Sequence, residues 1–511
     1  MKLDYIDEPL LQFGYAQTLD YPRDGLFLFG PVDDGPKVDV IRYGVIGTPE
    51  GVEHFKTWSR QIQHIIEPPV GVRGVAPYSI AYPGFEQAFR AKWPNEPHCT
   101  LSNISKEEIS KALHIENRHE AVKSTVDLYV NELLAEQNRN ESLPDFWFVV
   151  LPEEVYRLGR SLSSVPVKER ISGNVVISLK RAKRLEKEPT LFGEEEEQAV
   201  VFKYSKDFRR QLKARLLQHK IVTQLVRETT LNPSAFLNDL GFPIRKIEDP
   251  ATIAWKLSTT AYYKAGGRPW QLANVRPGVC YVGLVYKRVD DAIDPGWACC
   301  AAQMFLSNGD GVVFRGALGP WYSPDKNQYH LNSEEANKLL KIVVDEYERM
   351  HGEKPKELFV HAKAKFTNDE WSGFESARPP ETNLVGIQIR SAGEDVKLFR
   401  TGKYPVIRGT ALKVSDNSAY LWTTGYIPRL DSYLGPETPN PISVRVWRGE
   451  CPLDVVLQDI LGLTKINFNS CLYNERLPVT IRFADAVGDV LVSAPIEGNP
   501  VLCSGIVNLA T

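Results

Sequence analysis

The chain reads as an α/β protein of two large lobes, and three observations predict it. Its 511 residues, at roughly 100–200 per domain, leave room for two or three real cores. Two strongly apolar runs in the first half, 38–47 (VDVIRYGVIG) and 146–151 (FWFVVL), each lead into a helix-start signal. Buried strands followed by helices are the pattern of a parallel sheet covered on both faces. From residue 279 onwards the order changes: strands come first, in hairpins, and a long amphipathic helix returns to a further strand.

Each element has a local reason. Thr48-Pro49-Glu50 supplies an N-cap hydroxyl, a proline at the first helical position and an early acid, and Val52, Phe55, Ile62 and Ile65 then recur at helical spacing. Pro152-Glu153-Glu154 starts a second helix after the 146–151 strand. Residues 180–197 (KRAKRLEKEPTLFGEEEE) are basic and then acidic, and read as a solvated loop. A helix is expected over 206–219, and 265–269 (AGGRP) breaks the chain, so a domain boundary is placed near residue 271. Beyond it come a strand at 279–286 and a hairpin, 300–306 with 312–314, joined by Ser307-Asn308-Gly309-Asp310-Gly311. In that turn Asp310 reads as a turn former. A helix over 333–350, strands at 358–361, 383–390, 408–414, 419–425 and 442–447, and a helix near 453–461 complete the series. This is the order of a ribonuclease H-like α/β domain.

Composition sets the class. Hydrophobics at 43%, charged residues at 24% and aromatics at 10% exclude a disordered chain, a collagen or a disulfide miniprotein. No run approaches the ~18 apolar residues of a membrane span, and the opening MKLDYIDEPL is unlike a signal peptide. Seven scattered cysteines without a CxxC suit a reducing compartment and no structural zinc. The expectation is a soluble cytoplasmic protein. The balance of 61 Lys+Arg against 64 Asp+Glu leaves nucleic-acid binding to local clustering.

One cluster stands out. Between Lys203 and Arg227 lie eight Lys/Arg and a single acid, Asp207. On a helix Phe208, Leu212 and Leu216 share a core-facing stripe, while Arg209 and Lys213, four apart, can converge on one anion. Gln224, in the β-rich run IVTQLV, could donate to the same anion. Arginine can grip phosphate with two nitrogens and lysine acts as a point charge. From spacing alone a solvated amphipathic helix fits as well. A plain α/β metabolic protein would carry such a helix, but no Walker loop, dinucleotide fingerprint or catalytic triad is present.

FRRQLKARLLQHKIVTQ followed by TTAYYKAGGRPW resembles the MID domain of Argonaute proteins. The resemblance implies a Rossmann-like MID domain with an N-terminal extension over 1–270. It also implies a pocket in which Arg209, Lys213, Gln224 and Lys264 hold a guide strand's 5′ phosphate. Relatives often have Tyr or His where Arg209 stands, and the stretch from Gln224 to Lys264 is longer than the family pattern. A divalent cation, Mg2+, and the C-terminal carboxylate assist in the family, which implicates Thr511. The second half, in VCYVGLVYKR, KPKELFVHAKAKF, TNLVGIQIR, VIRGT, YLWTTGY and LTKINFNSCLYNERLPVTIRFADAVGD, resembles a ribonuclease H-like PIWI domain over 271–511. Active members use two-metal catalysis by carboxylates on adjacent strands. Here Val285 and Lys363 stand at two of those places, and Asp485 at the third lacks the other carboxylates. An apolar residue and a cation cannot hold a hard divalent metal, so nuclease activity is expected to be absent. His361, beside that place, reads as a strand residue rather than a ligand. Arg482, Asn467 and Asn469 fall in the family's nucleic-acid-facing segment.

The phrases KLSTTAYYKAGGRPW, VCYVGLVYKR and CCAAQMFLSNGDG most resemble short prokaryotic Argonautes encoded beside TIR-APAZ proteins, with Sir2-APAZ relatives next. What this implies is a heterodimer in a bacterial immune complex. A short 5′-phosphorylated RNA guide pairs with complementary single-stranded DNA of a plasmid or phage. The complex assembles into a higher-order oligomer, and the partner's TIR or Sir2 domain hydrolyses NAD, which this chain does not itself bind. The alternatives are a guided binder that acts by target occupancy alone and an active guided nuclease.

Overall fold

The computed structural model describes residues 1–70, 76, 78–188, 193–274, 276–288, 298–306, 311–319, 322–323, 328–393, 396–433, 435 and 438–495. The turn carrying Asp310 and the terminus carrying Thr511 lie outside the described residues.

A first strand, β1 (Lys2–Tyr5), leaves for the second lobe. The first lobe is built on β2 (Tyr43–Ile46), β3 (Cys99–Leu101), β4 (Phe146–Leu151) and β5 (Thr223–Arg227), in the order β3-β2-β4-β5 and parallel throughout. Every residue of β2 and β4 is buried. Tyr43, Val45, Phe148 and Val150 point to one core and Ile46, Trp147, Val149 and Leu151 to the other, as successive side chains in a doubly covered strand must. Helix α1 (Pro49–Gln61) begins as its sequence predicts, the Thr48 hydroxyl accepting from the Gly51 N–H. The 22-residue α2 (Arg118–Arg139) and, after β4, α3 (Glu153–Leu158) and α4 (Phe208–Leu217) follow. Helix α5 (Pro250–Lys264), capped by Asp249, closes the lobe.

The expected loop at 180–197 is a correction. Leu179–Lys187 and Gly193–Val200 are helices, and the basic run and the acidic run face each other, with Arg181 Nη2 2.6 Å from Glu195 Oε2.

The second lobe has a nine-stranded sheet. Its strands are β6 (Val279–Arg288), β7 (Ala298–Leu306), β8 (Gly311–Gly319), β9 (Glu357–Ala362), β10 (Asn383–Ser391), β11 (Thr410–Ser415), β12 (Ser418–Leu421) and β13 (Ile442–Arg448), together with β1. The order is β1-β11-β12-β13-β10-β9-β6-β7-β8, with β6, β9 and β10 parallel and the other pairings antiparallel. Helices α6 (Ser333–His351) and α7 (Asn368–Ala377) cover one face. The other face carries α8 (Leu453–Leu463) and α9 (Val479–Leu491). Helix α9 can lie directly on β6 because residue 283 is glycine; a Cβ there would run into the Thr480 carbonyl.

The division at residue 271 needs one amendment. The first residues belong to the second lobe: β1 pairs with β11, and Leu11–Gln12 pairs with Gln271–Leu272. Glu8 bridges two buried cations there, Arg408 Nε at 2.8 Å and Lys465 Nζ at 2.6 Å. One continuous core then runs from Tyr43 through Trp255 to Ile442 and Phe483. Among the described residues no helix is long and apolar enough to cross a membrane.

Candidate nucleic-acid interface

A cavity of about 540 Å³ opens where α3, α4 and β5 meet α9. Helix α4 brings it Arg209, Arg210 and Lys213, β5 brings Gln224 to Arg227, α3 and its exit bring Val155, Tyr156 and Arg160, and α9 brings Ala486, Asp489 and Val490. The sequence folds this way because Phe208, Leu212 and Leu216 are buried in the core beneath α4, which turns the basic stripe toward the cavity. Asp207 caps the helix by accepting from the Arg210 N–H at 3.0 Å. The cavity therefore sits at a helix N-terminus, where the peptide dipoles favour an anion.

The electrostatics point the same way. Lys213 is 3% exposed and its ammonium has no hydrogen-bond partner among the described residues. Lys264, also 3% exposed, is the last residue of α5 and donates to the Thr223 carbonyl at 2.7 Å. It stands behind the lining, close enough to Lys213 for the two charges to repel. Burial, then Lys264 and Arg209, push the Lys213 ammonium well below the ordinary lysine range. Burial and Arg209 bring Lys264 down to about 7, and burial lowers Arg209 as well. A buried charge costs several kcal/mol unless it is paired. Like charges converging on one cavity disfavour each other's charged form, and an opposite charge placed among them favours it.

Gln224 lines the cavity, its amide donating to the Leu225 carbonyl at 3.1 Å. Arg482, on α9, pairs with Glu475 and adds its charge to the field at Arg209. Arg209, Lys213, Gln224, Lys264 and Arg482 are thus gathered at one place from four elements. The two asparagines do not line the cavity, although Asn467 shares the Glu475 carboxylate with Arg482. Asn467 is buried in the loop between α8 and α9; its amide donates to Glu475 at 2.7 Å and Ser470 at 3.2 Å, and its oxygen accepts from the Asn469 N–H. In this structure Asn467 braces the loop. Both amide atoms of Asn469 lack partners among the described residues.

For Mg2+ the described lining is a poor fit. Asp207 is the helix cap, and both oxygens of Asp489 are taken, Oδ1 by Lys287 and Oδ2 by Arg210, each at 2.9 Å. A hard divalent cation needs free oxygen donors, and these two carboxylates do not offer them.

Val285, Lys363 and Asp485 meet on the face of the sheet beneath α9. Val285 is buried in β6, and the parallel register Leu284 with Ala362 sets Lys363 beside it. Lys363 Nζ donates to Asp485 Oδ1 at 2.8 Å, and Lys287 Nζ lies 2.9 Å from the same oxygen. Burial raises the Asp485 carboxyl, but the bonds and charges of the two lysines outweigh it and hold it below its ordinary value. Asp485 is on a helix and is paired through one oxygen with two lysines, a contact its sequence context did not reveal. His361 is buried with Nδ1 2.9 Å from Thr480 Oγ1, and burial pushes it down to about 3, which keeps the ring neutral.

Sequence reasoning missed part of the lining. The Tyr156 ring lies between two guanidiniums, Arg160 at 3.8 Å and Arg227 at 3.6 Å, and Arg227 is in turn held by Glu153 at 2.7 Å. The i, i+4 spacing of Tyr156 and Arg160 was the available signal. Lys287, Arg210 and Asp489 were missed because their relation is visible only once α9 lies on β6.

No protein-family model matches the sequence. Among solved structures, the Clostridium butyricum Argonaute bound to a guide DNA and a 19-mer target DNA superposes with a TM-score of 0.59 over 97% of this chain, at 15% identity. The Aquifex aeolicus Argonaute with externally bound siRNA superposes with a TM-score of 0.55 over 98%, at 16% identity. The fold is that of an Argonaute. The chain spans about half the length of these neighbours, 53% and 55% respectively. The curated Protein argonaute of Aquifex aeolicus (strain VF5) is 23% identical over 282 residues, 55% of this chain and 35% of the relative. The α/β class expected from the sequence is the class observed. The cationic cavity lies where the first lobe meets α9 of the second, and Val285, Lys363 and Asp485 lie in the second.

Proposed function

We propose that the chain is an Argonaute-type protein that holds the 5′ phosphate of a short guide strand in the α4–β5 cavity. The observation that carries this is the buried Lys213 ammonium, partnerless among the described residues and set between Arg209 and Lys264. A phosphate dianion entering the cavity meets Arg209 as a two-nitrogen donor, Lys213 as a point charge, Gln224 as an amide donor and the N-terminus of α4. Lys264 acts from behind, through its charge. Base pairing of the guide then selects a complementary single strand, while the protein contacts phosphates and duplex shape.

In this reading the chain does not cut. Val285 and Lys363 occupy two of the carboxylate places, and the lysines bound to Asp485 put positive charge where metal ions would have to sit. A labelled target complementary to a loaded guide should stay intact with Mg2+ or Mn2+; metal-dependent cleavage would overturn this part.

The short-Argonaute phrases noted in the sequence support the further reading of an immune subunit. There, recognition of invader DNA switches on an APAZ-containing TIR or Sir2 partner that depletes NAD, and the coupling is between two distinct sites. The test of the whole reading is to purify the protein from cells, alone and with its co-expressed neighbour. Bound nucleic acid is then end-labelled before and after phosphatase. Short RNA that labels only after phosphatase is the expected result. No bound nucleic acid in either preparation, and no uptake of synthetic 5′-phosphorylated RNA, would contradict it.

A further inference from the structure

Away from the cavity, the segment joining β10 to β11 carries a cluster of cations and aromatic rings that the function above does not use. Residues 396–404 (VKLFRTGKY) contain Lys397, Arg400 and Lys403 and no carboxylate. The base of the segment is built. Tyr404 stacks on Tyr426 with centroids 4.4 Å apart and planes 12° from parallel. The Tyr404 hydroxyl donates to the Asp431 carbonyl at 2.8 Å and the Tyr426 hydroxyl to its carboxylate at 3.0 Å. Arg400 lies over the Tyr426 ring at 4.9 Å and Lys403 over the Tyr404 ring at 5.0 Å, and Arg400 Nε donates to the Tyr404 carbonyl. Above this base Phe399 is 80% exposed.

A lone exposed phenylalanine is ordinary. This one is flanked in the chain by cations, on a segment anchored by its own tyrosines. Its position adds a second argument. Strands β9 and β10 are parallel, and the Gln388 amide donates to the Lys363 carbonyl, so the segment leaves the sheet at the edge that holds Lys363 and Asp485. Positive charge with a free aromatic face is the chemistry that holds single-stranded nucleic acid: phosphates on the cations and an unstacked base on the ring.

We propose that residues 396–404 are a second nucleic-acid contact, with Phe399 as a stacking platform for a base of a single strand and Lys397, Arg400 and Lys403 as its phosphate partners. This rests on the reading of the chain as a guide-strand binder. A duplex presents no free base face and gains nothing from Phe399.

The test is fluorescence anisotropy of the full chain with a labelled 5′-hydroxyl single strand, its 5′-phosphorylated form and the matching duplex. Phe399→Ala should weaken both single strands about 5- to 10-fold, leave the duplex unchanged and keep the preference for the 5′ phosphate, and Phe399→Trp should restore binding. Unchanged single-strand affinity in Phe399→Ala would overturn the contact, as would an equal loss for the duplex. If Lys213→Ala abolishes the 5′-phosphate preference while Phe399→Ala does nothing, the cavity reading stands and this one falls. If the unmodified protein binds none of the three, both fall.

Discussion

Helix α9 stands between two cationic clusters, and they are balanced in opposite ways. Toward β6 and β9, Lys287 and Lys363 are matched by Asp485 and Asp489 in a ladder that reaches Arg210. Toward α4, Lys213 has no partner among the described residues and is pushed down by its neighbours' charge. The first cluster is complete within the chain and braces the fold. In the proposed reading the second is completed by an anion. Similar residue types then serve structure on one side of a helix and binding on the other, and charge balance rather than composition tells them apart.

The largest effect that would break this contrast is on binding. Lys213→Ala with Gln224→Ala should weaken a 5′-phosphorylated strand by about 2–5 kcal/mol, roughly 30-fold or more, in an equilibrium titration. A 5′-hydroxyl strand should change far less; equal losses would mean the cavity does not read the phosphate.

Stability of the empty protein sharpens the contrast through opposite signs. Lys213→Met removes a buried, partnerless amine and should raise stability at pH 7 by about 1–3 kcal/mol. Lys287→Met takes one of two cationic partners from each of two partly buried carboxylates, Asp485 and Asp489, and should lower it by about 1–2 kcal/mol. Denaturant melts of the two variants test this, and two shifts of the same sign would count against it.

The pH dependence has a fixed direction. Lys264 titrates near 7 when folded and near its ordinary 10.5 when unfolded. Between those values the unfolded chain binds more protons, so this group makes the empty protein more stable as pH rises, and its full penalty applies below about 7. A bound phosphate restores the charge. The gain in Tm from a 5′-phosphorylated strand should therefore be larger at pH 7 than at pH 9, measured by scanning calorimetry at matched ionic strength. The smallest effect is expected at Lys363→Ala, about 0–1 kcal/mol, because its side chain is 46% exposed and its pair with Asp485 is screened.

Much of this architecture was legible in the sequence where one local rule dominates. The unbroken apolar run FWFVVL is β4 to the residue, and Thr48-Pro49 starts α1. Helix α5 was not legible, because LSTTAYY has the β-branched look of a strand. It is helical because Asp249-Pro250 caps it, and two of its hydroxyls are paired inside: Thr260 donates to the Lys256 carbonyl at 2.9 Å and Ser258 accepts from Tyr82 at 2.8 Å. Helix α2 hid for a related reason, since His119, Glu120 and Glu136 are buried among its apolar residues and blur the stripe. At the candidate site, Arg209 and Lys213 share a helix face and could be read from spacing. Asp489 could not, because it reaches the cavity from a helix that meets α4 only in the folded chain.

The central claim is that the cavity recognises a terminal phosphate, and one ratio tests it most directly. Affinities of the unmodified protein for one RNA strand with a 5′ phosphate and with a 5′ hydroxyl should differ by at least about tenfold in favour of the phosphate. Equal affinities would contradict it and leave Lys213 as a buried charge without a ligand.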